Sequence, residues 1–210
     1  MAQRRHRDYE HSEFPSVTTV LSTLRKIGLE QWYMRNTYEF CQNAMKKGKT
    51  IGTATHAAIE SFILTGEMKV ETEWPDEVTF ALKSFVKFKK ENPVEIKLAE
   101  TALFSPKYGY NGTIDAPCPP VLYDWKTGEA KLEEAPKSWP DWKFQAAAYI
   151  SLWNENHPEA LINRAFIIGL AKDKIGYSIT EMNQQEITDC FNEVFLPALR
   201  IYNYSHKKEK

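Results

Sequence analysis

Residues 100–126 read ETALFSPKYGYNGTIDAPCPPVLYDWK, and their spacing predicts three short strands. From Val94 onward the apolar residues recur at every second position: Ile96, Leu98, Ala102 and Phe104 share a parity with Glu100. A carboxylate on a buried face is costly unless it is paired or bound to a metal, so Glu100 is informative. Residues 111–115 form a second predicted strand, in which Gly112 permits close backbone approach; Pro117, Pro119 and Pro120 end it. Val121 to Lys126 form a third. There Leu122, Asp124 and Lys126 point one way, and Val121, Tyr123 and Trp125 the other. Glu100, Asp115, Asp124 and Lys126 thus come from adjacent segments. Such a set suits a hard divalent cation and a water to be activated.

Helical patterns flank this centre. Upstream, Ser16 or Thr18 can cap a helix whose stripe is Val17, Val20, Leu21 and Leu24. A second helix is expected from Leu29 to Lys46, with Arg35 three residues beyond Trp32 on the same face. An aromatic–arginine face of that kind can hold a nucleic-acid strand. A third follows Gly48 and Gly52 and closes at Gly66, with His56 among alanines and Glu60 one turn later. A polar ring amid alanines needs a partner, which a carboxylate–metal centre would supply. Pro75 opens a fourth helix that Asn92-Pro93 stops, with Val78, Ala81, Leu82, Phe85 and Phe88 inward. Downstream, a helix is expected near Ser138 to Asp141, with Gln145 and Tyr149 one turn apart on one face. A strand over 161–170, its hairpin partner over 176–182, and a last helix capped by Asn183 and Glu186 complete the pattern. Pro197 kinks or divides that helix.

Composition narrows the classes. At 210 residues one domain is the simplest organisation: 1–13 as a flexible arm, then 14–205, of which 14–92 is mainly helical, 93–182 is the sheet-bearing core and 183–205 a C-terminal helix. No apolar run reaches the roughly 18 residues a membrane span needs, and the N-terminus reads as neither signal nor transit peptide. Cys41, Cys118 and Cys190 are scattered and odd in number, against a disulfide framework, a four-cysteine zinc site or an iron–sulfur cluster, so a reducing, cytoplasmic setting is expected. A net charge of −1 is not that of a histone-like binder. Basic clusters at Arg4, Arg5 and Arg7, at Lys46, Lys47 and Lys49, and at Lys207, Lys208 and Lys210 can still meet phosphates. GKTIGT does not fit a phosphate-binding loop, and neither a Gly-x-Ser-x-Gly elbow nor a His-Glu-x-x-His pair occurs.

Asp115 followed by Asp124-Trp125-Lys126 resembles the PD-(D/E)xK nuclease signature. The order Gly52 with His56-Ala-Ala-Ile-Glu60, then Glu100, Gly112-Thr-Ile-Asp115, Asp124-Trp-Lys126-Thr-Gly and Gln145-Ala-Ala-Ala-Tyr149 is similar to its RecB-like exonuclease branch. The stretch over Pro15–Leu21 with Leu29-Glu-Gln-Trp32-Tyr-Met-Arg35 is similar to mitochondrial genome maintenance exonucleases and phage-type relatives. The resemblance implies an α/β fold with a restriction-endonuclease-like αβββαβ core, a central mixed sheet and an added N-terminal helical region. It implies that His56, Glu100, Asp115, Asp124 and the Trp125 carbonyl surround Mg²⁺ or Mn²⁺. Lys126 would be the catalytic lysine, and Gln145 and Tyr149 would contact DNA, as Arg35 would from its aromatic face. The four-cysteine iron–sulfur clasp of some relatives is absent, as is a helicase motor.

The expected function is a metal-dependent DNA exonuclease acting on single strands or strand ends in replication, recombination or repair, with proteins of those processes as possible partners. A structure-specific endonuclease built on the same centre is the first alternative. A non-catalytic DNA-binding adaptor of the same fold is the second, and the intact Glu100, Asp115, Asp124 and Lys126 set speaks against it.

Overall fold

A computed structural model of the chain describes residues 14–130 and 139–207. The expected N-terminal arm, the first basic cluster and Ser138 lie outside them. Its elements follow from local chemistry. Helix α1 (Val17–Leu21) starts where the Ser16 side chain accepts from the Thr19 N–H. Helices α2 (Ile27–Arg35) and α3 (Tyr38–Thr65) are separated at Asn36-Thr37. The Asn36 amide donates to the Trp32 carbonyl, and the Thr37 hydroxyl caps Phe40. The expected boundary at Gly48 and Gly52 is therefore corrected: α3 runs through both glycines. Gly52 faces the Thr127 side chain of the sheet, and a Cβ there would meet its hydroxyl at 3.7 Å, an ordinary contact. Gly66 ends α3 in the left-handed conformation, φ 76°, as expected. Helix α4 (Asp76–Glu91) buries Val78, Ala81, Leu82, Phe85 and Phe88.

A correction applies between Val94 and Glu100. No strand forms there; β1 spans only Thr101–Ser105. Leu98 and Ala102, which the alternating pattern puts on a buried face, are exposed. Strand β1 pairs antiparallel with β2 (Tyr110–Ile114). The chain then bends at Asp115 and continues as β3 (Ala116–Cys118). Pro117 does not end the strand as expected but sits inside β3 opposite Leu122. Strand β3 is the sheet's edge, where a missing N–H is tolerated.

The four-stranded sheet has the order β3-β4-β5-β6, with β4 (Val121–Gly128), β5 (Arg164–Ala171) and β6 (Tyr177–Met182). It is mixed: β4 and β5 are parallel and the other neighbours antiparallel. Helix α5 (Pro140–Asn156) makes the crossover between the parallel pair. Asn183 and Glu186 form the expected capping box of α6 (Gln184–Asp189). A π-helical turn, Cys190–Phe195, leads into α7 (Leu196–Ser205), which holds Pro197 in its first turn.

The sheet separates two apolar cores. On one side Leu122, Ala165 and Ile167 meet α1, α5, α7 and the π-helical turn. On the other, Trp125, Ile168 and Leu170 meet α3 and α4. No helix among the described residues is long and apolar enough to cross a membrane.

Gly112 fixes how closely α5 approaches β2. A Cβ added there would lie 2.7 Å from the Tyr149 ring and 3.2 Å from the Leu152 side chain. Gly112→Ala should therefore destabilise the protein by about 1–3 kcal/mol, the range for overpacking a core, read as a lower urea midpoint with an unchanged slope. An unaltered midpoint would show that α5 can shift freely.

Candidate metal centre and its surroundings

Alternation along β4 sets the centre. The Trp125 indole lies 5.3 Å from Phe85 and 5.8 Å from Phe88, both near edge-to-face. With Trp125 pinned in that core, Asp124 and Lys126 must emerge on the opposite face. Asp124 is fully buried, and its Oδ2 lies 2.5 Å from Lys126 Nζ. Asp115, at the bend after β2, accepts the Trp125 N–H through Oδ2 at 2.8 Å. Its Oδ1 lies 3.4 Å from His56 Nδ1, and Glu100 Oε1 lies 3.4 Å from the same nitrogen. His56 projects from α3 at a point where that helix packs on β4.

Glu100 reaches this cluster by a route different from the one expected. Its backbone is left-handed, φ 48°, and its N–H donates to the Asp115 carbonyl at 2.9 Å. A local turn aims the carboxylate, and strand parity plays no part.

The charges are strongly interdependent. Burial works against a charged His56, but Asp115, with hydrogen bonds to Asp115 and Glu100, outweighs it and pushes the imidazole up to about 10. Burial would raise Asp115, yet the neighbouring His56 charge and the Trp125 N–H hold it below the usual carboxylate range. Burial pushes the Asp124 carboxyl up to about 6; the Lys126 ammonium opposes that rise and the Asp115 charge adds to it. Burial would lower Lys126, but Asp124 and Asp115 hold it above its ordinary value.

Gln145 and Tyr149 share a face of α5 as expected, and the Gln145 amide donates to the Tyr149 hydroxyl at 2.7 Å. Burial, with the charges of Asp115, Asp124 and Glu100, raises the Tyr149 hydroxyl well above its ordinary value. Arg35 is not part of the cluster; it is the last residue of α2 and exposed. Sequence reasoning missed Asp141. It stands in the first turn of α5, its charge acts on Lys126, and it pairs with Lys26 at 2.7 Å. Its place after Trp139-Pro140 signalled a helix start, and nothing in the spacing connected it to β4.

The donor set fits a divalent cation. One atom each from His56, Glu100 and Asp115 lies within 4.8 Å of the others. Neither oxygen of the buried Asp124 has a well-aligned hydrogen-bond donor among the described residues, although Lys126 Nζ lies 2.5 Å from Oδ2. Buried polar atoms so poorly satisfied are rare, and a bound ion or a catalytic role is among the explanations. Carboxylates with one imidazole suit Mg²⁺ or Mn²⁺.

A solved structure from Eubacterium rectale, named as an inferred exonuclease, superposes with a TM-score of 0.53 and 14% identity over 78% of this chain and 69% of that one. The chain has the restriction-endonuclease-like fold. This is the fold of the PD-(D/E)xK nucleases; α4, β1, β2 with its continuation β3, β4, α5 and β5 follow one another in the αβββαβ order. Two looser likenesses carry no argument. One is a phage-related exonuclease from Haemophilus somnus 129PT, with TM-score 0.38 and 12% identity over 71% of this chain and 79% of that one. The other is LHK-Exo in complex with dAMP, with TM-score 0.42 and 14% identity over 92% and 91%. No protein-family model matches the chain, and no curated protein matches it in sequence.

Mn²⁺ or Mg²⁺ should raise the melting temperature, and EDTA should reverse the rise. At a hundredfold excess over Kd the gain is about 2.7 kcal/mol. His56→Ala and Asp115→Asn should each shrink it. A thermal shift equal to that of the unsubstituted protein in both variants would exclude these residues as ligands.

Proposed function

We propose that the chain is a Mg²⁺- or Mn²⁺-dependent DNA exonuclease of the RecB-like type, acting on single strands or strand ends. The observation that carries this reading is the convergence of His56, Glu100 and Asp115 beside the buried Asp124–Lys126 pair, on a fold shared with a protein named as an inferred exonuclease. His56, Glu100, Asp115 and Asp124, with the Trp125 carbonyl, would hold the metal. When bound, the metal supplies charge neutralisation on the phosphoryl oxygens and acidifies a water.

The residues of the chain do the rest. Lys126, kept charged by two carboxylates, orients the attacking water and stabilises charge as it builds on the phosphate. Asp124 lies on the same strand face, so its distance to Lys126 is fixed by one strand repeat. Glu100 and Asp115 hold His56 in place by its Nδ1 side. The Gln145–Tyr149 pair faces the centre and positions the sugar-phosphate strand, while Arg35 contacts DNA farther out. The whole described chain serves as one nuclease domain in a reducing, cytoplasmic setting, with replication, recombination or repair as its process.

End-labelled DNA should be degraded with Mg²⁺ or Mn²⁺ and spared in EDTA. Asp124→Ala and Lys126→Ala should each cost at least about a hundredfold in rate, with the far-ultraviolet circular dichroism unchanged. Full activity in either would remove that residue from the mechanism. A closed circular single strand should survive; its cleavage would favour the endonuclease alternative.

A further inference from the structure

Helix α2 buries none of its residues. Neither apolar core contains a residue of α2, or of α3 before Ile51. The two segments form a helical hairpin that turns at Asn36-Thr37 and lies outside both cores; before Ile51 the one residue it buries is Cys41. Across the turn, Trp32 lies 6.1 Å from Phe40, and the Tyr33 hydroxyl donates to Met45 Sδ at 2.6 Å. Its surface carries several exposed apolar side chains: Met34 is 84% and Tyr38 77% exposed, and Ile27 and Phe40 are exposed as well. Isolated exposed apolar residues need no explanation, but four on one short hairpin point to a binding surface.

Charge indicates the occupant. Residues 25–49 carry six cations, Arg25, Lys26, Arg35, Lys46, Lys47 and Lys49, against two acids, Glu30 and Glu39. Glu30 is taken by Arg25. Among the described residues no ion pair is formed by Arg35, Lys46 or Lys49, nor is any of the three otherwise engaged. Aromatic faces interleaved with free cations match an unpaired nucleic-acid strand, whose bases stack and whose phosphates are neutralised.

Placement connects the hairpin to the centre. Its base is tied to the start of α5 by the Lys26–Asp141 pair, and Gly28 packs on the Trp139 ring. Its other limb, α3, leads straight to His56. From Phe40 to His56 the helix rises about 24 Å at about 1.5 Å per residue. A stacked strand covers that distance in roughly seven nucleotides at about 3.4 Å each.

We propose that the α2–α3 hairpin is a stacking platform for the unpaired strand several nucleotides away from the scissile bond, with Trp32, Phe40, Met34 and Tyr38 as its base contacts and Arg35, Lys46 and Lys49 as its phosphate contacts. This rests on the nuclease reading for what happens at the centre, and adds a substrate class: unpaired strands long enough to reach the hairpin.

Fluorescence anisotropy with labelled dT4 and dT20 in EDTA tests it. The unsubstituted protein should bind dT20 at least about tenfold more tightly than dT4. Trp32→Ala with Phe40→Ala, and separately Met34→Glu with Tyr38→Glu, should each remove on the order of tenfold of the dT20 affinity, since a stacked base contributes about that much or more. Ile201→Glu, a substitution at an exposed position on α7, is the control and should leave affinity unchanged. Unchanged dT20 affinity in both pairs overturns the platform. So does loss confined to the Trp32/Phe40 pair with a lowered melting temperature, which marks a merely structural cluster. Light scattering that shows a dimer dissolved by the substitutions at unchanged dT20 affinity assigns the surface to a second copy and overturns it too. A protein that binds dT20 as described but cuts nothing with either metal defeats the nuclease reading alone. One that cuts, with affinity indifferent to the substitutions, defeats the platform alone.

Discussion

The burial of Trp125 against Phe85 and Phe88 organises the rest of the molecule. A strand has two faces and a repeat of two, so anchoring one side chain commits its neighbours. Asp124 and Lys126 are committed to the face opposite the aromatic core, while His56 and Asp115 meet each other at 3.4 Å. The cost of a buried carboxylate is met by Lys126 and by whatever cation the remaining oxygens attract. The Trp125 backbone adds a second tie, since its N–H fixes Asp115 from across the bend. Side chain and amide of one residue thus align an acid on β4 with one at the bend between β2 and β3.

Electrostatics bind the groups together further. His56 and Asp115 each move the other in the direction of charge, while burial acts against both. Asp124 moves the other way, toward a neutral carboxyl, because it is the most deeply enclosed. Acids driven apart in proton affinity within one small volume are a common mark of a reaction centre. The arrangement needs no long-range field from the chain, whose net charge is only −1; the charges that matter are local.

Much of this was legible in the sequence where periodicity is strong. Alternation in β4, the apolar stripe of α4, the Gly66 stop and the Asn183–Glu186 capping box each follow from short-range rules, and the structure repeats them. Legibility failed where tertiary packing overrules a local signal. Gly48 and Gly52 suggested a break, but α3 runs through both, Gly52 against Thr127 of the sheet and Gly48 in open space, whereas the modest pair Asn36-Thr37 supplies actual caps. Glu100 was found for an incorrect reason: its parity matched, although the residues before it form no strand and Leu98 is exposed. Asp141 was missed because a contact between the start of α5 and β4 leaves no trace in spacing. The carboxylate–histidine cluster emerged from motif order and alternation put Asp124 and Lys126 on one face, but only coordinates could show that Asp115 faces His56.

The left-handed backbone at Glu100 sets fold against chemistry at a single position. A non-glycine residue in that conformation costs on the order of 1–2 kcal/mol, and a glutamate has no short side chain with which to relieve it as asparagine or aspartate can. The folded chain alone would be better served by glycine at position 100. What retains the strain is the partnership of its amide with Asp115 and of its carboxylate with His56, so the turn works as a loaded joint. Its stored energy is recovered only if the carboxylate has something to hold.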